Sequence, residues 1–255
     1  MAPRRALRDE LVRRGLVDVA DVESVLSANR VRVNGAIVSN AASLVAPGDS
    51  VSVIGEPSRY VSRAGSKLEG ALVDFGVDVD GWACVDAGAS TGGFTDCLLQ
   101  RGAAHVVAVD VGRAQIHNKL VTDPRVTSWE SRNILDVAVA DLVGLDGYEG
   151  GARLVVADLS FTSSARLAAH LVGLARPGGD VIIMVKPQFE AHRDEVPEGG
   201  VVLDPAVQER AVGAVCAALV AAGCEVRGTA QSRVPGTDGN KEFFVWGTRR
   251  TDGTQ

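Results

Sequence analysis

Asp86-Ala87-Gly88-Ala89-Ser90-Thr91-Gly92-Gly93-Phe94 grows out of an apolar run, Ala83 to Ala87, and leads into a new amphipathic segment. Glycines at such a point let the chain turn sharply out of a strand and bring bare backbone against a ligand. The helix that follows then presents its N-terminus to the same ligand. The spacing is not the G-x-G-x-x-G of dinucleotide sites, and no G-K-[ST] of a P-loop is present. An acidic residue, Asp110, closes the next apolar run, His105 to Asp110, where a carboxylate is placed to bind two ribose hydroxyls.

From Leu68 onward, apolar strands alternate with amphipathic helices. The candidate strands are Ala83 to Ala87, His105 to Asp110, Arg125 to Trp129, Leu154 to Asp158 and Asp180 to Lys186. The segments between them are long enough for crossover helices, so the pattern predicts an α/β, doubly wound and mostly parallel sheet. The end of the chain departs from that alternation. A helix over Pro205 to Ala222 precedes a strand over Glu225 to Gln231, a turn over Pro235 to Asn240, and a strand over Glu242 to Gly247. Two successive strands joined by a turn predict a closing antiparallel hairpin, which most dinucleotide-binding sheets lack.

The first 55 residues follow a different pattern. Leu7, Leu11 and Val12 recur at helical spacing, as do Val22, Val25 and Leu26. Arg30 to Val33 and Ala36 to Val38 then alternate around Asn34-Gly35, a hairpin turn signal. Val51 to Ile54 forms a further strand after Pro47-Gly48-Asp49, and Gly55 to Tyr60, with Pro57 inside it, reads as a linker. The expected division is therefore residues 1–55, a linker at 56–63, and 64–250. Charge divides in the same way. Residues 1–63 carry nine arginines against seven acidic residues, while the remainder carries 17 basic against 25 acidic. Arg4, Arg5, Arg8, Arg13 and Arg14 concentrate the basic excess.

The 255 residues are 46% hydrophobic and 23% charged, with a formal net charge of −6, an ordinary soluble composition. That charge argues against a protein coated all over with nucleic acid. The longest uncharged apolar stretch, Ala211 to Cys224, falls short of the roughly 18 residues of a membrane span. Arg8, Asp9 and Glu10 break any signal-peptide core, so a cytoplasmic location is expected. Cys84, Cys97, Cys216 and Cys224 show no metal-type spacing and sit in apolar surroundings, where a free thiol packs as a small hydrophobe. No metal site is expected.

Arginine is the default cation here, at 22 against four lysines. A lysine therefore marks a place where guanidinium does not serve, since arginine cannot be deprotonated. Lys186 ends the run Val181 to Val185 and is held extended by Pro187. Asp158 ends its own strand, so both fall at the carboxyl edge of the sheet, where ligands bind in open α/β folds. Lys67 starts the helix after the linker, and Glu242 begins the final strand beside Phe243 and Phe244.

These contexts carry two resemblances. Lys67 after Ser62-Arg63-Ala64-Gly65-Ser66, Asp158-Leu159-Ser160-Phe161, Val185-Lys186-Pro187-Gln188-Phe189-Glu190 and Asn240-Lys241-Glu242-Phe243-Phe244 resemble the Lys-Asp-Lys-Glu tetrad of FtsJ-type RNA 2′-O-methyltransferases. The N-terminal helices and hairpin resemble the small αL RNA-binding domain of ribosomal protein S-four. Together with the glycine-rich turn, the match runs over nearly the whole chain to the TlyA family, whose members are called both haemolysins and ribosomal RNA methyltransferases. The resemblance implies a class I methyltransferase fold with Lys67, Asp158, Lys186 and Glu242 catalytic. It implies an S-adenosylmethionine site at Asp86, Gly88, Ala89, Ser90, Thr91, Gly92, Gly93, Asp110 and Asp158. It also implies ribosomal RNA contacts from Arg4, Arg5, Arg14, Arg30, Arg32 and Arg63, and methylation of cytidine 2′-hydroxyls in the small subunit, the large subunit or both. Asp158 to Phe161 stands where exocyclic-amine methyltransferases carry [DN]-P-P-[FY], but both prolines are absent. A membrane-active haemolysin would need a span or a basic amphipathic helix with aromatic anchors. An RNA-binding assembly factor that merely holds the cofactor is a further alternative, which alanine at Lys186 would separate from an enzyme.

Overall fold

Strands buried on both faces have no polar side to show, which is why Val181 to Val185 reads as an unbroken apolar run and Ala83 to Ala87 is broken only by Asp86. In the computed structural model, which describes residues 4–17, 19–54, 59–236 and 239–251, all ten of these side chains are buried. The chain divides into two compact units, Met1–Arg63 and Ala64–Gln255. Most of the expected linker, residues 55–58, and Thr237 and Asp238 of the expected turn lie outside the described residues.

The first unit contains β1 (Arg5–Ala6), α1 (Leu7–Arg13), α2 (Val22–Ser27), β2 (Val31–Val33), β3 (Ala36–Ile37), β4 (Leu44–Val45) and β5 (Val51–Val53). β3, β2 and β5 form an antiparallel sheet, and Asn34 and Gly35 turn the hairpin with φ of 51° and 85°. Leu7, Leu11, Val22, Val25, Leu26 and Val31 pack its core with Val45. The β1–β4 pair, Arg5 opposite Val45 and Ala6 opposite Leu44, is a feature that two-residue strands give no periodicity to foretell.

The second unit runs α3 (Arg63–Phe75), β6 (Ala83–Ala87), α4 (Gly93–Gln100), β7 (His105–Val109), α5 (Asn118–Val121), β8 (Val126–Trp129), α6 (Val139–Leu142), β9 (Ala152–Ala157), α7 (Ser164–Leu174), β10 (Ala175–Val185), α8 (Pro187–Glu190), α9 (Pro205–Ala221), β11 (Cys224–Gln231) and β12 (Phe243–Arg249). The seven strands lie in the order β11-β12-β10-β9-β6-β7-β8, all parallel except β12, which runs antiparallel to both β10 and β11. β10 begins at Ala175 rather than at the expected Asp180. Its register against β9 shifts between Ala175 and Asp180, so Arg176-Pro177-Gly178-Gly179 passes through an irregularity that reads as a turn in sequence. One face is covered by α7 and α9 through Leu171, Val215 and Leu219. On the α3 side, Phe75 meets Trp246 at 5.6 Å between ring centroids, and Phe94 of α4 meets Phe244 at 6.1 Å.

Two features of this topology place the site. The chain proceeds from β6 outward to β8, then returns to the other side of β6 with β9 and β10, so a crevice opens at the carboxyl ends of β6 and β9. Because β12 is antiparallel, its first residue, Phe243, pairs with Val185 at the end of β10. Glu242 therefore lies at the same edge as Lys186 and Asp158. The four cysteines are free, three buried and Cys216 partly so. Among the described residues no helix is long and apolar enough to cross a membrane.

Candidate active site

Gly88 leaves β6 with φ of +85°, and a Cβ there would stand 2.6 Å from the carbonyl oxygen of Asp158. A side chain would force apart the two strand ends that frame the crevice. Asp158 N–H donates to Ala87 O at 3.0 Å, completing that closure. Ser90 takes a left-handed φ of 48°, and its N–H donates to Asp110 Oδ2 at 2.8 Å. Gly112 N–H donates to Asp110 Oδ1 at 2.6 Å. Both oxygens of Asp110 thus already hold backbone, yet a carboxylate has about four acceptor positions, which leaves room for hydroxyls.

Asp86 is fully buried. Its Oδ2 accepts from Thr95 N–H at 2.9 Å and Thr95 Oγ1 at 2.7 Å, while Oδ1 has no partner. Burial pushes this carboxyl up to about 7, against the Thr95 bonds that lower it, and the negative charge of Asp158 adds to the rise. A buried carboxylate oxygen without a donor fits a ligand cation such as an ammonium group.

A cleft of about 570 Å³ opens over this turn. Gly88, Ser90, Asp110 and Asp158 line it; Ala89, Thr91, Gly92, Gly93 and Asp86 do not. Gly92 serves packing, since a Cβ there would meet Leu120 Cδ1 at 2.2 Å. Residues missed in the sequence complete the wall. Arg132 to Leu135 follow the carboxyl end of β8, the one available signal, and Arg132 lies over the Trp129 ring at 4.6 Å while pairing with Asp141 at 2.7 Å. Phe161, also on the wall, is 93% exposed at φ of 63°, a position no core aromatic occupies.

The four polar residues form two ion pairs. Lys186 Nζ lies 2.6 Å from Asp158 Oδ1 and donates to Ser160 Oγ at 2.9 Å. Lys67 Nζ donates to Glu242 Oε2 at 2.5 Å, both buried. Glu242 O accepts from Ser232 N–H at 2.8 Å, and a Cβ on Gly236 would come within 2.8 Å of Glu242 Oε1. Asp158, Lys186 and Glu242 thus sit at the ends of three adjacent strands, β9, β10 and β12. A carboxylate thus stands against each lysine, Asp158 at Lys186 and Glu242 at Lys67, so neither cation stands alone.

The arginines expected to face outward divide. Arg4, Arg5 and Arg32 are exposed. Arg14 is turned inward instead: its Nε donates to Glu10 Oε1 at 2.7 Å and its NH1 to Asp49 O at 2.8 Å. Glu10, three and four residues before Arg13 and Arg14 on the same helix, captures both and is held down at about 2 by those guanidinium bonds. Arg30 is also partly buried, and its Nε donates to Ile54 O at 2.8 Å. Arg63 is partly buried at the start of α3.

The profile of the FtsJ-like methyltransferase family matches residues 60–249. The 16S/23S rRNA (cytidine-2′-O)-methyltransferase TlyA of Mycobacterium tuberculosis is 42% identical over 254 residues, 99% of this chain and 92% of that one. A solved structure of a candidate haemolysin from Streptococcus thermophilus is 34% identical, with a TM-score of 0.75 over 100% of this chain and 91% of that one. An S-adenosylmethionine-dependent methyltransferase from Mesorhizobium loti shares the fold at 16% identity and a TM-score of 0.52, covering 71% of this chain and 96% of that one.

Proposed function

The chain belongs to the FtsJ-like methyltransferase family, and from that premise we propose that it transfers a methyl group from S-adenosylmethionine to the 2′-hydroxyl of cytidine in ribosomal RNA. The observation that carries this reading is the pair of lysine–carboxylate contacts at the ends of β9, β10 and β12, beside the glycine-rich turn. A base-amine methyltransferase has no use for two lysines there. The relative from Mycobacterium tuberculosis, matched over almost the whole chain, supports the same substrate.

S-adenosylmethionine supplies a methyl group already activated on a sulfonium. Asp110, Gly88 and Ser90 would hold its nucleoside end, and the free oxygen of Asp86 its ammonium. The ribose hydroxyl, a poor nucleophile at neutral pH, must be aligned and relieved of its proton. Lys186 has three N–H directions. One is given to Ser160 and the ammonium stands in ion-pair contact with Asp158, which leaves Lys186 an N–H with which to polarise the 2′-oxygen, or, once it has released that proton, a lone pair to accept the hydroxyl's. Lys67 and Glu242 fix one another and position the ribose. Phe161 offers an exposed ring on which an unstacked base can lie. In the first unit, Arg4, Arg5 and Arg32 meet phosphates and Arg14, Arg30 and Arg63 shape the surface around them, so that this unit acts as the RNA-binding domain and the enzyme works on ribosomal RNA or subunits in the cytoplasm.

Ribosomal subunits incubated with the protein and labelled S-adenosylmethionine test this. Label at an alkali-resistant linkage 3′ to cytidine is expected. Label on a base nitrogen, or none on either subunit, would overturn the reading.

A further inference from the structure

We propose that Glu190 is a positioning residue for methyl transfer: its carboxylate fastens the loop after β9 to the loop after β10 and so sets Asp158 against Lys186. The proposal rests on the reading that these two residues carry the reaction.

The helix α7 opens without a cap of its own, since the Ser163 side chain makes no capping bond to its own helix. Glu190, the last residue of α8, supplies the missing acceptor from another element. Its Oε2 accepts from Ser163 Oγ at 2.6 Å and its Oε1 from Ser164 N–H at 2.6 Å. Both are charge-assisted, and a negative charge at a helix N-terminus is favoured by the aligned peptide dipoles. Ser164 Oγ donates to Met184 O at 3.3 Å, binding the same helix start to β10.

The two loops are therefore joined at two points. One is the reacting end, where Lys186 meets Asp158 and Ser160. The other lies further along each loop, where Glu190, four residues after Lys186, meets Ser163 and Ser164. Between the two lies Phe161 in a left-handed conformation, a segment that regular structure does not hold. Both carboxylate oxygens of Glu190 are engaged by Ser163 and Ser164, so it acts through the loops and not on the substrate. Displacing reacting groups by about 1 Å costs on the order of 100-fold in rate, which is the scale of effect a lost fastening can have.

The test compares Glu190→Ala and Glu190→Gln in single-turnover methylation of ribosomal subunits, with calorimetry of S-adenosylhomocysteine and thermal unfolding alongside. Glu190→Ala is expected to slow transfer by roughly 10- to 100-fold while cofactor affinity changes by less than about twofold. Glutamine can accept from Ser164 N–H through its oxygen and donate to Ser163 Oγ through its nitrogen, so Glu190→Gln should recover most of the rate. If Glu190→Ala does not fold, Ser163→Ala removes one of the two bonds and should slow transfer several-fold, with no added loss when combined with Glu190→Gln. Wild-type rates in folded Glu190→Ala, equal losses in the alanine and glutamine variants, or a loss confined to cofactor affinity would each overturn the proposal. Lys186→Ala is run in parallel: full methylation by that variant means that the reading of the active site has failed, whatever Glu190 does.

Discussion

A carboxyl group with no exposed surface and one unpartnered oxygen, such as Asp86, titrates near neutrality instead of near pH 4. Its folded value of about 7 is raised, so its contribution to the stability of the free protein is complete below about pH 4 and lost as pH climbs through 7. A bound ammonium reverses the preference, because it needs the carboxylate. Affinity for S-adenosylhomocysteine should therefore rise about tenfold between pH 6 and pH 8, and Asp86→Asn should abolish that slope and weaken binding; calorimetry across the range checks both. At Lys186 the expectation concerns rate. Lys186→Ala should lose roughly 100- to 10,000-fold in transfer with cofactor affinity intact, and Lys186→Arg should be nearly as poor because guanidinium keeps its proton. Full activity of the arginine variant, measured over a pH series, would leave charge stabilisation alone. Residues like these were legible because a polar side chain ending an apolar strand has few structural reasons to be there. Arg14 and Arg30 were not, since what captures them, Glu10 and backbone carbonyls at Pro47, Asp49 and Ile54, is set by helix spacing and by tertiary folding together.

Among the elements, the antiparallel strand β12 does what no parallel strand can: it brings its own beginning to the edge where β9 and β10 end. That is how Glu242 reaches Lys67 of α3, 175 residues away in sequence. Burying both charges makes each depend on the other. Glu242→Ala should destabilise the fold by about 3–5 kcal/mol by stranding the ammonium, while the double change Lys67→Met with Glu242→Ala should restore most of it, as denaturant midpoints would report. The hairpin itself was readable from two strand patterns around a Pro-Gly turn. Less readable were the walls of the cleft. Arg132 to Leu135 belong to a loop whose place is dictated by the end of β8, and no periodicity around Phe161 sets its ring out into solvent. The start of β10 was hidden for a related reason, as Pro177, Gly178 and Gly179 imitate a turn while the strand passes through them.

Across the whole molecule, charge is divided between the two units, and the second, with 17 basic against 25 acidic residues, repels RNA at long range. Affinity should then come from the exposed arginines of the first unit. Charge reversal at Arg4, Arg5 and Arg32 should lower the salt dependence of RNA binding by about 0.7 for each single-strand phosphate that is no longer neutralised, and titrations at several salt concentrations would detect it. Reversal at Arg14 should instead act through stability, by releasing Glu10 and the backbone at Asp49. A chain shortened to begin at Tyr60 retains every strand of the seven-stranded sheet. It should fold and bind cofactor yet fail on subunits at concentrations where the full chain succeeds. The order β11-β12-β10 also has a bearing on birth. β12 is translated after both of its neighbours, so β10 leaves the ribosome with a bare flank, and β11 waits with nothing to pair with until the last strand slides between them. Lys67, made first, stays without its carboxylate through the same interval. A nascent chain of this protein is therefore inert until β12 has emerged, and most exposed to misassembly in the interval just before it does.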